Sequence, residues 1–201
     1  MGVRMRRRDQ DLAAAQRAHW QQTYAAHPGM YGDEPSAPAV HAAGIFHAAG
    51  AKDVLELGAG HGRDALHFAR EGFTVHATDF SPTGLEQLHA RAEQQGLGTS
   101  VSTTVHDVRE PLPLPDASAD AVYAHMLLCM ALSTAEIEAL VGEVRRVLRP
   151  GGTFVYTVRH TGDSALRHRH RPRRRHPRAR RLRRALLSPR PGRRARRGLA
   201  P

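Results

Sequence analysis

Cysteine is almost missing from this chain. Cys129 is the only one in 201 residues, so no intramolecular disulfide can form and a disulfide-stapled secreted scaffold is excluded. Long apolar runs are missing too. The longest, residues 126–132, falls far short of the ~20 residues that span a bilayer. The N-terminus carries Arg4, Arg6, Arg7 and Arg8, but Asp9, Gln10 and Asp11 follow where a signal peptide needs an apolar stretch. Arg6 stands where myristoylation of Gly2 requires Ser or Thr. These absences lead to the expectation of a cytoplasmic protein with no membrane partner.

Acidic residues are absent from one end only. The formal net charge is +11, which by itself suggests a nucleic-acid binder. Residues 1–163, however, hold all 19 acidic residues and 14 basic ones, a net charge of −5. Residues 164–201 hold 16 arginines and contain no acid, no lysine, no β-branched residue and no aromatic. The tail alone makes the chain basic. Such a composition builds no core, so the tail is expected to be disordered.

What is present in the first 163 residues is an alternation of strand and helix patterns. Residues 9–26 read as a helix, with Leu12, Ala15, Trp20 and Tyr24 as its inward candidates, and His27-Pro28-Gly29 breaks it. Ser36 caps a second helix, about 37–49. Strands are expected at 52–57, 73–78, 100–105, 120–125 and 153–158. Helices follow the first strand (63–71), the second (capped by Ser81, with Pro82 in its first turn) and the fourth. Ser133 with Glu136 forms a capping box for that last helix, and Ile137, Leu140, Val141, Val144 and Leu148 mark its apolar face. Arg145, Arg146 and Arg149 gather at its C-terminal end, where the helix dipole favours cations. Pro111, Pro113 and Pro115 exclude regular structure between the third and fourth strands. Strands separated by helices call for an α/β fold with a parallel sheet and helices on both faces. Ligands of such sheets bind beyond the carboxyl ends of the strands.

The candidate site residues fall at those ends. Glu56-Leu57-Gly58-Ala59-Gly60-His61-Gly62 leaves the first strand and opens a helix. Glycine lets the backbone turn sharply and approach a ligand, and free N–H groups at a helix start receive an anion. A plain strand-to-helix turn uses glycine as well. Asp79 ends the second strand, where a carboxylate accepts from ribose hydroxyls, or caps a helix. A nicotinamide-cofactor fingerprint would need a further glycine at position 63, which is Arg63.

Asp107-Val108 after the third strand completes a set. The stretches 54–62, 77–81, 106–108 and 147–152 resemble, in order and spacing, the class I S-adenosylmethionine-dependent methyltransferases of the methyltransferase-domain group. The resemblance covers about residues 20–163. It implies a Rossmann-like parallel sheet in the order 3-2-1-4-5, methyl transfer from S-adenosylmethionine to a small-molecule acceptor, and no metal. It implies that Glu56, Gly58, Ala59, Gly60 and Gly62 hold the methionine moiety and that Asp79 takes the ribose. Phe80 would lie against the adenine, Asp107 would accept from its amino group, and the Val108 N–H would meet a ring nitrogen. His125, at the end of the fourth strand, would line the site near the sulfonium.

Other residues keep two readings. His125 and His160 follow strands and serve either as a base or acceptor-positioning group, or as ordinary strand-end residues. Trp20, Tyr24 and Tyr31 belong to a lid or to the core. Cys129, between Leu128 and Met130, reads as a buried thiol. His168, His170 and His176 lack the spacing of a metal site. The expected organisation is a helix and lid over 1–35, a cofactor-binding core over 36–163 and the tail over 164–201.

The resemblance also implies two more strands after the fifth, and nothing like them follows. The tail is then either a basic arm that binds nucleic acid non-specifically by counterion release, or the product of a frameshift in a GC-rich gene. Its residues are those of GC-rich codons. Shifting one base under suitable codons gives a segment rich in glycine, acids and aromatics. The expectation is a chain truncated or frameshifted near residue 164, with weak or no activity. The acceptor and the oligomeric state stay open.

Overall fold

The computed structural model describes residues 7–159, with side chains from residue 11. His160 and the tail, with the disorder, frameshift and nucleic-acid readings attached to it, lie outside the described residues. Ten elements follow one another: α1 (Arg7–Ala26), α2 (Ala37–Ala48), β1 (Asp53–Leu57), α3 (Arg63–Arg70), β2 (Thr74–Asp79), α4 (Pro82–Gln94), β3 (Val101–Val105), β4 (Ala119–His125), α5 (Thr134–Val147) and β5 (Leu148–Thr157). The strands form one sheet in the order β3-β2-β1-β4-β5, and every pairing is parallel. The fold is the Rossmann-like α/β sheet that the sequence implies, and β1 lies at its centre.

The strand side chains alternate between two cores. Val54, Val75, Ala77, Ala121 and Tyr123 pack with α2, α3 and α4 on one face. Leu55, Leu57, Val122 and Ala124 pack with α5 and the loops 108–114 and 127–128 on the other. This alternation puts Glu56 on the α3 face, inside the molecule.

The expected caps are made. The side-chain oxygens of Ser36, Ser81 and Ser133 accept from the N–H groups of Ala39, Gly84 and Glu136, and Glu136 answers Ser133 reciprocally. Each such cap contributes about 1 kcal/mol. The proline-rich loop before β4 is irregular but pinned. Arg146 donates to the carbonyls of Leu112 (2.9 Å) and Leu114 (2.8 Å), while Glu143 accepts from the Leu112 N–H at 2.9 Å.

Three details differ from the sequence reading. Leu12 is 55% exposed and Ala15 is exposed, because α1 docks only through its C-terminal half. There Tyr24 is buried, its carbonyl accepts from Gln87 at 2.9 Å, and Gln21 bonds Thr83 and Ser81. In α5 the deepest residues are Leu140, Val144 and Val147; Leu148 already belongs to β5. And β5 begins at Leu148 rather than 153, because the pairing slips between Ala119 and Ala121 and accommodates Pro150-Gly151-Gly152 as an irregularity inside the strand.

Among the described residues β5 pairs with β4 alone, and its residues 152–157 are half-buried. A strand edge of this kind is open to pairing. No helix among the described residues is long and apolar enough to cross a membrane.

Candidate active site

A cleft of about 330 Å³ opens at the carboxyl ends of β1, β2 and β4, near the lower end of the volumes that hold small ligands. Its floor is the β1–α3 turn. The Gly58 and Ala59 N–H groups donate to the Thr78 carbonyl at 2.8 and 3.0 Å, which ties the turn to β2. At two positions only glycine fits. Gly60 has φ +57°, and a Cβ there would lie 2.3 Å from the Tyr24 hydroxyl. Gly62 has φ +84°, and its Cβ would lie 2.1 Å from Leu88 Cδ1.

Asp79 holds this turn from β2. It is 8% exposed. Its Oδ2 accepts from the Gly60 N–H and its Oδ1 from the Ser81 N–H, each at 2.8 Å. Burial raises its pKa above the ordinary carboxylate value, against the three backbone N–H groups that favour the ion. Each oxygen keeps accepting capacity beyond its backbone donor, and Asp79 lines the cleft.

Glu56 lies behind the same turn, 3% exposed, and its Oε2 has no hydrogen-bond partner among the described residues. Burial, with Asp64 and Asp79 nearby, pushes its pKa well above 4.5. Next to it is a buried polar network missing from the sequence reading. The Ser36 N–H and hydroxyl donate to Asp64 at 2.7 and 2.8 Å, and the Tyr123 hydroxyl lies 3.2 Å from the Ser36 hydroxyl. It ties the start of α2 to α3 and β4. Nothing in a single sequence marks these three distant residues as partners.

Of the sequence-predicted residues, Gly58, Ala59, Asp79, Phe80, Val108 and His125 line the cleft. Glu56, Gly60 and Gly62 are buried and do not line it. Asp107 does not line it. Its oxygens are taken by Arg109 at 2.9 Å and Arg17 at 2.7 Å. Burial opposes ionisation of Asp107, but the Arg109 N–H and the two guanidinium groups outweigh it and hold the pKa below the ordinary value. Arg109 is itself buried, whereas Arg17 comes from the exposed side of α1.

Trp20, Tyr24 and Tyr31 all line the cleft, and Tyr24 is at the same time buried. Trp20 stacks on Tyr24 with ring centroids 5.7 Å apart, and Tyr31 stacks on His61 at 5.8 Å. The Arg63 guanidinium lies 5.3 Å from the Tyr31 ring centre. His61, Arg63, His106, Met126, Met130 and Arg159 line the cleft without having been singled out. For His61 and Arg63 the signal was their place inside and just after the glycine turn, and for His106 its place beside Asp107 after the third strand; for the others there was none. Burial, then the Arg91 charge, lowers the His61 pKa. Cys129 is half-buried and donates to the Met126 carbonyl.

The comparisons with known proteins agree with this geometry. Residues 54–152 match the family model described as a methyltransferase domain. An uncharacterized protein of Mycobacterium tuberculosis is 37% identical over 153 residues, covering 74% of this chain and 51% of its own. Dimethylglycine N-methyltransferase of Parasynechococcus marenigrum is 38% identical over 106 residues, covering 52% of this chain and 36% of its own. This chain thus spans about half or less of the length of the curated relatives it matches. Among solved structures, phosphoethanolamine N-methyltransferase 1 of Haemonchus contortus, in complex with phosphoethanolamine and S-adenosylhomocysteine, superposes with a TM-score of 0.55. It is 22% identical and covers 72% of this chain and 32% of its own. The sheet order, the glycine turn with its carboxylate clasp and these matches place the chain in the methyltransferase-domain family of class I, S-adenosylmethionine-dependent methyltransferases.

Proposed function

We propose that this chain binds S-adenosylmethionine in the β1–β2–β4 cleft and transfers its methyl group to a small molecule. The observation that carries the reading is the clasp of Asp79 on the Gly60 and Ser81 N–H groups, which presents a buried carboxylate to a cleft floored by glycine. The residues present fit the cofactor. An unpaired buried oxygen of Glu56 suits a cationic ammonium. The glycine cradle suits close backbone approach. The Asp79 carboxylate suits ribose hydroxyls, and Phe80 and Val108 suit a flat base. Asp107 would meet an adenine amino group only by sharing its oxygens with Arg17 or releasing it.

When bound, the cofactor supplies a methyl group already activated by its positive sulfur. The chain's part is then positioning, which contributes most when reacting atoms are held about 3–3.5 Å apart. Transfer would form one bond, from the acceptor's lone pair to the methyl carbon, and break one, carbon–sulfur, whose electron pair would stay on sulfur. Trp20, Tyr24 and Tyr31 shield the cleft from water, and His125 faces the acceptor side. Relatives named for dimethylglycine and phosphoethanolamine support a small polar acceptor.

The nucleic-acid reading rests wholly on residues outside the described ones. The test is formation of S-adenosylhomocysteine from S-adenosylmethionine with a panel of small amines and carboxylates. It is run on this chain, on a chain with residues 164–201 read in the alternative frame, and on each with His125→Ala. Product from either chain supports the reading. None from both, with any acceptor, refutes it.

Glu56 gives an independent check. Between the ordinary glutamate value and its own raised one, a free glutamate is ionised while Glu56 keeps its proton. The folded chain then binds more protons than the unfolded one, so this residue's contribution to stability falls as pH rises. A cation placed beside it reverses the preference and expels the proton. Calorimetry of S-adenosylhomocysteine binding in pairs of buffers of different ionisation enthalpy, stepped upward in pH from the ordinary glutamate value, should show proton release in that interval. Glu56→Gln should abolish that release.

A further inference from the structure

β4 ends in a constrained corner. Met126 has φ +58°, a left-handed conformation that a methionine keeps only where its surroundings enforce it. The enforcing residue is Thr157 at the end of β5. The Met126 N–H donates to the Thr157 carbonyl at 3.1 Å and to its hydroxyl oxygen at 3.0 Å. The same hydroxyl lies 2.7 Å from His125 Nδ1. The His125 ring lies nearly parallel to Tyr123, 7° between planes with centroids 6.4 Å apart, and it lines the cleft.

The direction of the 2.7 Å bond follows from proton accounting. The Thr157 hydroxyl has one proton and already accepts from Met126. If it also accepted from His125, that proton would have no protein acceptor among the described residues, whereas donating to Nδ1 pairs it within the chain. With the hydroxyl donating to Nδ1, the neutral ring carries its proton on Nε2.

Resting on the methyl-transfer reading for its chemistry, we infer that Thr157 is a positioning residue that locks His125 in the Nε2–H tautomer. His125 then offers the cleft a hydrogen-bond donor and not a base. The acceptor it holds carries a lone-pair group, such as a carboxylate, phosphoryl or carbonyl oxygen, beside the atom to be methylated. A proton lost by that atom passes to solvent. Burial lowers the ring's pKa, while Asp64 raises it and Arg63 lowers it, so the neutral form is the one to consider near pH 7.

The test is nitrogen NMR of the full chain with labelled histidine, at a pH above the histidine range. The His125 signals are assigned by their loss in His125→Gln. The expected spectrum shows Nδ1 unprotonated and Nε2 protonated. Thr157→Ser should keep that pattern, and Thr157→Val should give a mixture of tautomers. Thr157→Val should still fold, because the Thr157 carbonyl continues to hold the Met126 N–H. With an acceptor found in the panel, Thr157→Val should lower kcat about tenfold and leave the KM for S-adenosylmethionine unchanged. His125→Gln, which keeps an N–H donor, should retain more turnover than His125→Ala. Nδ1 protonated in the wild type would overturn the inference. So would an unchanged tautomer in Thr157→Val, or equal losses in His125→Gln and His125→Ala. The NMR needs no activity, so a failure of the methyl-transfer reading would be seen separately, as absent turnover with the expected spectrum.

Discussion

Asp79→Ala should remove S-adenosylhomocysteine binding almost completely. The carboxylate has two jobs in the structure. It satisfies the Gly60 and Ser81 N–H groups, and it is the acceptor that the cleft presents beside the glycine turn. Alanine leaves two buried donors unpaired, at about 1–3 kcal/mol each, and it takes away the charge-assisted bonds to the ligand, about 1.5–3 kcal/mol each. A loss of about 100-fold or more in affinity is expected, since each tenfold is about 1.4 kcal/mol. The readout is the ligand-induced rise in melting midpoint, present in the wild type and absent in the variant. Asp79→Asn keeps one acceptor oxygen and should fall between the two. A midpoint shift in Asp79→Ala equal to that of the wild type would mean that the ligand does not use this carboxylate.

Gly62→Ala should be the most damaging small substitution for the fold. The backbone there is left-handed at φ +84°, and the new Cβ would overlap Leu88 at Cδ1 (2.1 Å), Cγ (2.7 Å) and Cβ (2.8 Å). Leu88 lies on the buried face of α4 and is fully enclosed in the core. Left-handed strain of about 1–2 kcal/mol adds to overpacking of about 1–3 kcal/mol. At about 2–4 °C per kcal/mol for a chain of this size, the melting midpoint should drop by about 4–20 °C. Gly72→Ala is the control. Its φ of +90° imposes the same backbone strain, but nothing lies within 4 Å of the added Cβ, so only the smaller, backbone part of the loss should appear. Equal losses at both positions would show that packing under the glycine turn is not what limits Gly62.

The parts of this fold legible in the sequence are those where local chemistry and global structure coincide. Ser133 and Glu136 form their box, Ser81 and Pro82 start α4, and the glycine turn follows β1 because each feature is satisfied within a few residues. Asp79 was legible for a similar reason, as the acid that ends a strand next to the turn. Long-range partners were not. Asp107 reads from the sequence as a free acceptor. In the folded chain Arg17, ninety residues away, and Arg109 hold both its oxygens. The inward face of α1 was misread at Leu12 and Ala15 because that helix packs only at one end, and a periodic pattern cannot show where docking stops. Thr157 and Tyr123 gave no signal at all. Their roles exist only once β4 and β5 are side by side.

The central claim is that the β1–β2–β4 cleft is a cofactor site, and titration calorimetry of this chain with S-adenosylhomocysteine tests it most directly. The account expects a single site of one ligand per chain, with an affinity lost in Asp79→Ala and retained in Thr157→Val. No heat of binding at ligand concentrations up to about 1 mM, where a site worth even about 4 kcal/mol would be half-filled, from a chain whose circular dichroism shows the α/β fold, would contradict it.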